Sequence, residues 1–134
     1  MNRLKLEKEY LFQIAGTVSY GKQLGRTVEM PTANILTTED ISAIPLGVYA
    51  ATVIIDGYAH KGITHIGKRP SVDSESTVTI ETYIFDFSED IYDKEIILTL
   101  YEFIRGTADF KSLEALKKQV DSDIEVAKKI LSDL

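Results

Sequence analysis

Residues Pro31-Thr32-Ala33-Asn34 set two short, neutral, oxygen-bearing side chains two positions apart behind a proline. The proline fixes the backbone, and the i, i+2 spacing puts both side chains on one side of an extended segment. Two neutral oxygens suit a Mg2+ ion that keeps its waters and takes further oxygens from phosphates. Read alone, the same residues more often make a turn with local side-chain hydrogen bonds. Upstream, Gly16-Thr17-Val18-Ser19-Tyr20-Gly21-Lys22-Gln23 nearly matches the Walker phosphate loop. Gln23 stands where that loop needs Ser or Thr for Mg2+, and no clear amphipathic helix follows. A glycine-rich turn beside Lys22 and Arg26 can still wrap phosphates, or it can be an ordinary strand-to-loop turn.

Three further groups carry potential chemistry. Glu81 lies mid-run in Thr79-Ile80-Glu81-Thr82-Tyr83-Ile84-Phe85. Strand alternation puts it with Thr79 and Tyr83, opposite Ile80, Thr82 and Ile84, and on its own the position describes a solvent-facing glutamate. His60 and His65 are five apart on one expected strand, so they face opposite ways and do not share a metal. They read as individual surface or core histidines. Asp86, Glu89, Asp90 and Asp93 form an acidic cluster that reads as a solvated loop rather than a metal site. No nucleophile elbow or other Ser/His/Asp arrangement is present.

These residues need a framework, and the chain describes a β-rich one. Gln13–Ser19 reads as a strand running into glycines. Val48–Ile55 and Tyr58–Ile66 flank Asp56-Gly57, a pair suited to a two-residue hairpin turn. Val78–Phe87 and Ile96–Phe103 are rich in β-branched and aromatic residues, as strands are. The period then changes. Leu113, Leu116, Val120, Ile124, Ala127 and Leu131 recur at three- and four-residue spacing, one face of an amphipathic helix. Ser112 is its expected N-cap. Strands followed by one helix predict an antiparallel β architecture with the helix against it. Closure into a barrel would remove the exposed edges.

Composition narrows the function classes. The 134 residues fit one domain, with residues 1–9 as a loose charged arm. There is no cysteine, which excludes disulfides, iron–sulfur clusters and thiolate zinc sites. The net charge of −6 argues against a sequence-independent grip on nucleic acid. No apolar run approaches the ~20 residues of a membrane span, and the N-terminus lacks the apolar core of a signal peptide. The expectation is a cytoplasmic monomer that binds neither membrane nor nucleic acid.

Taken in order, the segments resemble the riboflavin kinase family, including the kinase half of bacterial bifunctional FAD synthetases. The similarity covers about residues 12–131. It runs through Gly16-Thr17-Val18-Ser19-Tyr20-Gly21, Leu24-Gly25-Arg26 and Pro31-Thr32-Ala33-Asn34-Ile35, then Gly47-Val48-Tyr49-Ala50 and Ile66-Gly67-Lys68-Arg69-Pro70-Ser71. It continues through Glu81-Thr82-Tyr83-Ile84-Phe85-Asp86-Phe87, Ile91-Tyr92-Asp93-Lys94, Ile104-Arg105, Phe110 and Ser112-Leu113, and ends on the helix at Gln119, Asp123 and Ala127.

The resemblance implies a six-stranded antiparallel Greek-key β-barrel with a C-terminal amphipathic α-helix. It also implies Mg2+-dependent phosphoryl transfer from ATP to the ribityl 5′-hydroxyl of riboflavin, giving FMN and ADP. Thr32 and Asn34 match the positions that bind the metal and the nucleotide phosphates, and Gly21 and Arg26 match the phosphate loop. Glu81 matches the proposed general base. Arg105 and Phe110 match the loop over the flavin, and Asp86 and Tyr92 fall on the adenine side. The chain departs from the family pattern at Val28-Glu29-Met30 before the proline and at His65, where asparagine is common. It departs again at Tyr83, where histidine is usual, and in Arg105-Gly106-Thr107-Ala108-Asp109-Phe110, which lacks the usual proline and glutamate. No nucleotidyltransferase domain accompanies the kinase pattern, so FMN is the expected end product. The competing readings are a non-catalytic flavin- or nucleotide-binding regulatory module, and a kinase for another small alcohol on the same barrel.

Overall fold

The computed structural model describes residues 9–19, 32–70 and 76–134. Within them run β1 (Phe12–Ser19), β2 (Ala33–Leu36), β3 (Gly47–Ile55), β4 (Tyr58–Pro70), β5 (Ser76–Ile84), β6 (Glu95–Arg105) and α1 (Leu113–Ile130). The strands close in the order β1-β2-β5-β4-β3-β6, every neighbouring pair antiparallel. β3, β4 and β5 are consecutive neighbours, and β6 returns to lie beside β3. That is the Greek-key order, and closure leaves no strand with an unpaired edge. The expected barrel and helix are both present.

The hairpin forms at the expected place. Asp56 and Gly57 have φ of 51° and 86°. Positive φ at both central residues matches the right-handed twist of the flanking strands, and it sets the register from Ile55↔Tyr58 to Gly47↔Ile66. Elsewhere the boundaries move. β4 runs four residues past Ile66, and β6 continues two past Phe103. β5 ends at Ile84 rather than Phe87, because the chain turns at Phe85-Asp86 and Asp86 has a φ of 53°. The segment after Thr32 supplies the short strand β2, Ala33–Leu36.

Alternation sorts the side chains onto two faces. Ile14, Val18, Ile35, Val53, Ile66, Ile80, Leu98 and Leu100 fill the barrel. Val48, Ala50, Ile63 and Tyr101 point outward and are covered by Ala127 and Leu131 at the C-terminal end of α1. Ser112 caps the helix, its Oγ accepting from the Ala115 N–H at 3.1 Å. No described helix is long and apolar enough to cross a membrane.

Candidate active site

The strand registers bring distant residues into one line on the outer face of the barrel. Asn34 on β2 pairs with Glu81 on β5, and Glu81 pairs with His65 on β4. His65 pairs with Val48 on β3, and Val48 with Arg105 on β6. Directly paired residues share a face, with Cβ atoms roughly 4.5–5.5 Å apart. Adjacent strands lie about 4.8 Å apart, so the row from Asn34 to Arg105 spans about 19 Å along the barrel surface. Glu81 is half-buried, and its carboxylate has no hydrogen-bond partner among the described residues.

Next to the Asn34 end, a cavity of 210 Å³ opens on Thr32 and on Ala33 and Thr82, the chain neighbours of Asn34 and Glu81. Thr32, Ala33 and Thr82 form one wall, and residues 87–92, including Phe87, Glu89, Asp90 and Tyr92, form the other. The 87–92 loop is docked on β1: Asp93 N–H donates to Val18 O at 2.9 Å, and Val18 N–H to Lys94 O at 3.0 Å. Tyr92 N–H donates to Asp90 Oδ1 at 3.1 Å, which holds the ring end of the loop. Thr32 and Asn34 are half-buried, and neither side-chain oxygen is engaged among the described residues. Two neutral oxygens, one of them on the cavity wall at Thr32, suit Mg2+, which keeps several waters and completes its shell with phosphate oxygens. Among the described residues, no three His, Cys, Asp or Glu side chains gather into an all-protein cage for a metal.

At the other end Arg105 is locked in place. Its Nε lies 3.0 and 2.9 Å from the two carboxylate oxygens of Asp123, and Nη2 lies 2.9 Å from Oδ2. Gln119 Nε2 donates to the same carboxylate at 3.0 Å. Nη1 donates to the Gly106 carbonyl at 3.0 Å, and the guanidinium sits 5.6 Å from the Phe110 ring centroid. Arg105 therefore ties β6, α1 and the 106–110 loop together. Each of its three nitrogens has a protein partner, and one N–H on each Nη is left over among the described residues. Asp123 is 2% exposed. A buried carboxylate needs such partners, because an unpaired one would be very costly.

Of the residues expected at the site, the structure gathers Thr32, Asn34, Glu81, Tyr92, Arg105 and Phe110 along this row and cavity. Gly21 and Arg26 lie outside the described residues. Asp86 is not with Tyr92; it is exposed and lines a separate depression with Ala59, His60, Lys61, Phe85 and Lys128. The turn at Phe85-Asp86 carries it away. His65 and the Asp123 clamp had no site role in the sequence. For Asp123 a signal existed: it interrupts the apolar stripe of α1 between Val120 and Ala127. His65 stands out in the sequence only as a departure from the family's common asparagine, and the register places it in the row. A wider depression of 590 Å³ lies between β1, β2 and the Asp56-Gly57 turn. Two of its polar groups are taken up internally, Thr37 by Ala15 O and Asp56 by Lys94.

Known proteins resemble this chain in sequence and fold. The family model Flavokinase, described as riboflavin kinase, matches residues 8–131. The RNA-binding riboflavin kinase RibR of Bacillus subtilis (strain 168) is 40% identical over 116 residues, which are 87% of this chain and 50% of that protein. The solved riboflavin kinase from Trypanosoma brucei superposes with a TM-score of 0.63 at 25% identity, covering 90% of this chain and 79% of its own. A solved chain from Streptococcus pneumoniae, named a macrolide-efflux protein, superposes with a TM-score of 0.79 at 30% identity, covering 87% of this chain and 38% of its own. The chain spans half or less of the length of the first curated relatives it matches, two of which are bifunctional riboflavin kinase/FMN adenylyltransferases. With the family match running over nearly its whole length and the barrel beneath it, the chain belongs to the riboflavin kinase family.

Proposed function

We propose that this protein transfers a phosphoryl group from ATP to the ribityl 5′-hydroxyl of riboflavin, producing FMN and ADP. One observation carries the reading: Glu81 stands in a single row between a phosphate-suited end, at Thr32 and Asn34, and a flavin end, at Arg105 and Phe110. A base for the acceptor hydroxyl belongs between the two substrates, and family membership supports the same assignment.

The nucleotide base would enter the cavity beside Phe87 and Tyr92. The Glu89 and Asp90 carboxylates on that wall repel phosphates, so the phosphates point toward Thr32 and Asn34. Gly21 and Arg26 would share the phosphate charge. Mg2+ held by Thr32 and Asn34 would neutralise phosphate oxygens. The acceptor oxygen forms the new bond to phosphorus as the bond to the ADP oxygen breaks. Glu81 takes the hydroxyl proton and later releases it to water. Phosphoryl transfer depends mainly on positioning and charge neutralisation, so this proton moves late.

The test is incubation of the purified protein with riboflavin, ATP and Mg2+, followed by chromatography of the flavins. The expected result is an FMN peak that disappears when ATP is withheld. Glu81→Gln should lower kcat by about 10²–10⁴ while ADP still binds. Binding of both ligands without FMN would instead make the chain a regulatory binding module. A Glu81→Gln enzyme with undiminished kcat would remove Glu81 as the base.

A further inference from the structure

The row contains one polar side chain that the reaction above leaves unused. His65 lies between Glu81 and Val48, one strand further from Arg105. It is half-buried, and neither ring nitrogen has a hydrogen-bond partner among the described residues. The ring lies over Gly67. A Cβ built at residue 67 would fall 2.8 Å from Cε1, 3.3 Å from Nδ1 and 3.4 Å from Nε2. Glycine at 67 leaves the imidazole that space, and a side chain there would push the ring aside.

The order along the row then matters. The reacting hydroxyl is the last atom of a polyhydroxylated chain, and it must meet Glu81. The ring system at the other end of that chain must meet the Arg105–Phe110 loop. What lies between is the chain of hydroxyls, and what faces it from β4 is an imidazole with two free nitrogens.

We propose that His65 is an acceptor-binding residue, whose imidazole hydrogen-bonds the hydroxyl chain of the flavin and holds the reacting end at the Glu81 carboxylate. This rests on the reading of Glu81 and the 105–110 loop given above. A neutral imidazole offers one donor and one acceptor, which matches a row of hydroxyls. The surroundings keep it neutral. Burial lowers its pKa, Arg105 on β6 lowers it further, and Glu81 on β5 and Asp123 on α1 pull it partly back up. Once protonated, His65 carries two donors and a charge opposite Glu81. The two then pair with each other, and both are lost to the substrate.

The chain has only two histidines, so the imidazole NMR signals are few and His65→Asn assigns them. On riboflavin addition in the presence of ADP and Mg2+, the His65 signal should shift. The His60 signal should stay on this addition, since that ring lines the other depression, away from the row. In kinetics, His65→Leu should raise the KM for riboflavin about tenfold, as expected for one hydrogen bond lost in a partly desolvated site, with the KM for ATP unchanged. His65→Asn should recover most of that loss, and should move the acid limb of kcat/KM to lower pH. An unmoved His65 signal on riboflavin binding, or FMN formation with the same riboflavin KM and acid limb in both variants, would overturn the proposal and leave the kinase reading standing. No FMN from the unaltered protein would overturn both.

Discussion

At the scale of the residue, the site depends on groups kept chemically available. The side-chain oxygens of Thr32, Asn34 and Glu81 have no partner among the described residues, and burial lowers the pKa of His65. The last point has a consequence for stability. His65 binds a proton less readily folded than unfolded, so between its lowered pKa and the ordinary value of about 6.5 the unfolded chain carries more protons. Stability therefore rises with pH across that window and falls as acid is added through it. The urea midpoint should drop as the pH falls below about 6.5, and His65→Asn should flatten part of that drop. An identical pH dependence in the variant would mean that His65 is not held neutral in the folded protein.

At the scale of the element, the joint between β6, α1 and the 106–110 loop is the Arg105–Asp123 pair. The two partners are not equivalent, because Asp123 is 2% exposed while Arg105 is 21% exposed. Removing the arginine strands a buried carboxylate, whereas removing the acid leaves an arginine that can swing toward water. Arg105→Ala should therefore cost about 3–5 kcal/mol in urea unfolding, and Asp123→Asn clearly less. Both should weaken riboflavin binding, since both release Gly106 and Phe110 from the guanidinium. Equal, small losses from the two changes would show that the helix is held by its apolar contacts alone. Those contacts are real: Ala127 and Leu131 are fully buried against Val48, Ala50, Ile63 and Tyr101.

At the scale of the whole molecule, barrel closure makes the site. Five strands each contribute one residue to the row from Asn34 to Arg105, and their spacing is set by the backbone hydrogen bonds of the sheet rather than by flexible loops. The interior is filled by Ile, Val and Leu from all six strands and Tyr49 from β3, so the fold stands on apolar burial. The metal would serve the reaction and not the fold. EDTA should abolish FMN formation and leave the thermal midpoint where it was; a lower midpoint in EDTA would reveal a structural ion. The same apolar dependence explains why most of the fold was legible. Period-2 runs of β-branched residues, an Asp-Gly pair and a period-3.6 stripe each declare an element through local sterics and burial. The boundaries of β4, β5 and β6 moved because pairing with neighbours, not composition, decides where a strand stops.

The sequence by itself determined the strands, the hairpin and the capped helix, and its ordered motifs gave the family and with it the barrel and the candidate residues of the site. Only the tertiary structure decided which of them meet. Side chains alternate along a strand, so slipping any strand by one residue would turn its whole set to the other face. The pairings Asn34↔Glu81↔His65↔Val48↔Arg105 exist only in the closed register. That register drew His65 into the row, and docking of α1 buried Asp123 against Arg105. The turn at Phe85-Asp86 took Asp86 out. Contacts of this kind join residues tens of positions apart, and no local pattern of residue types encodes them.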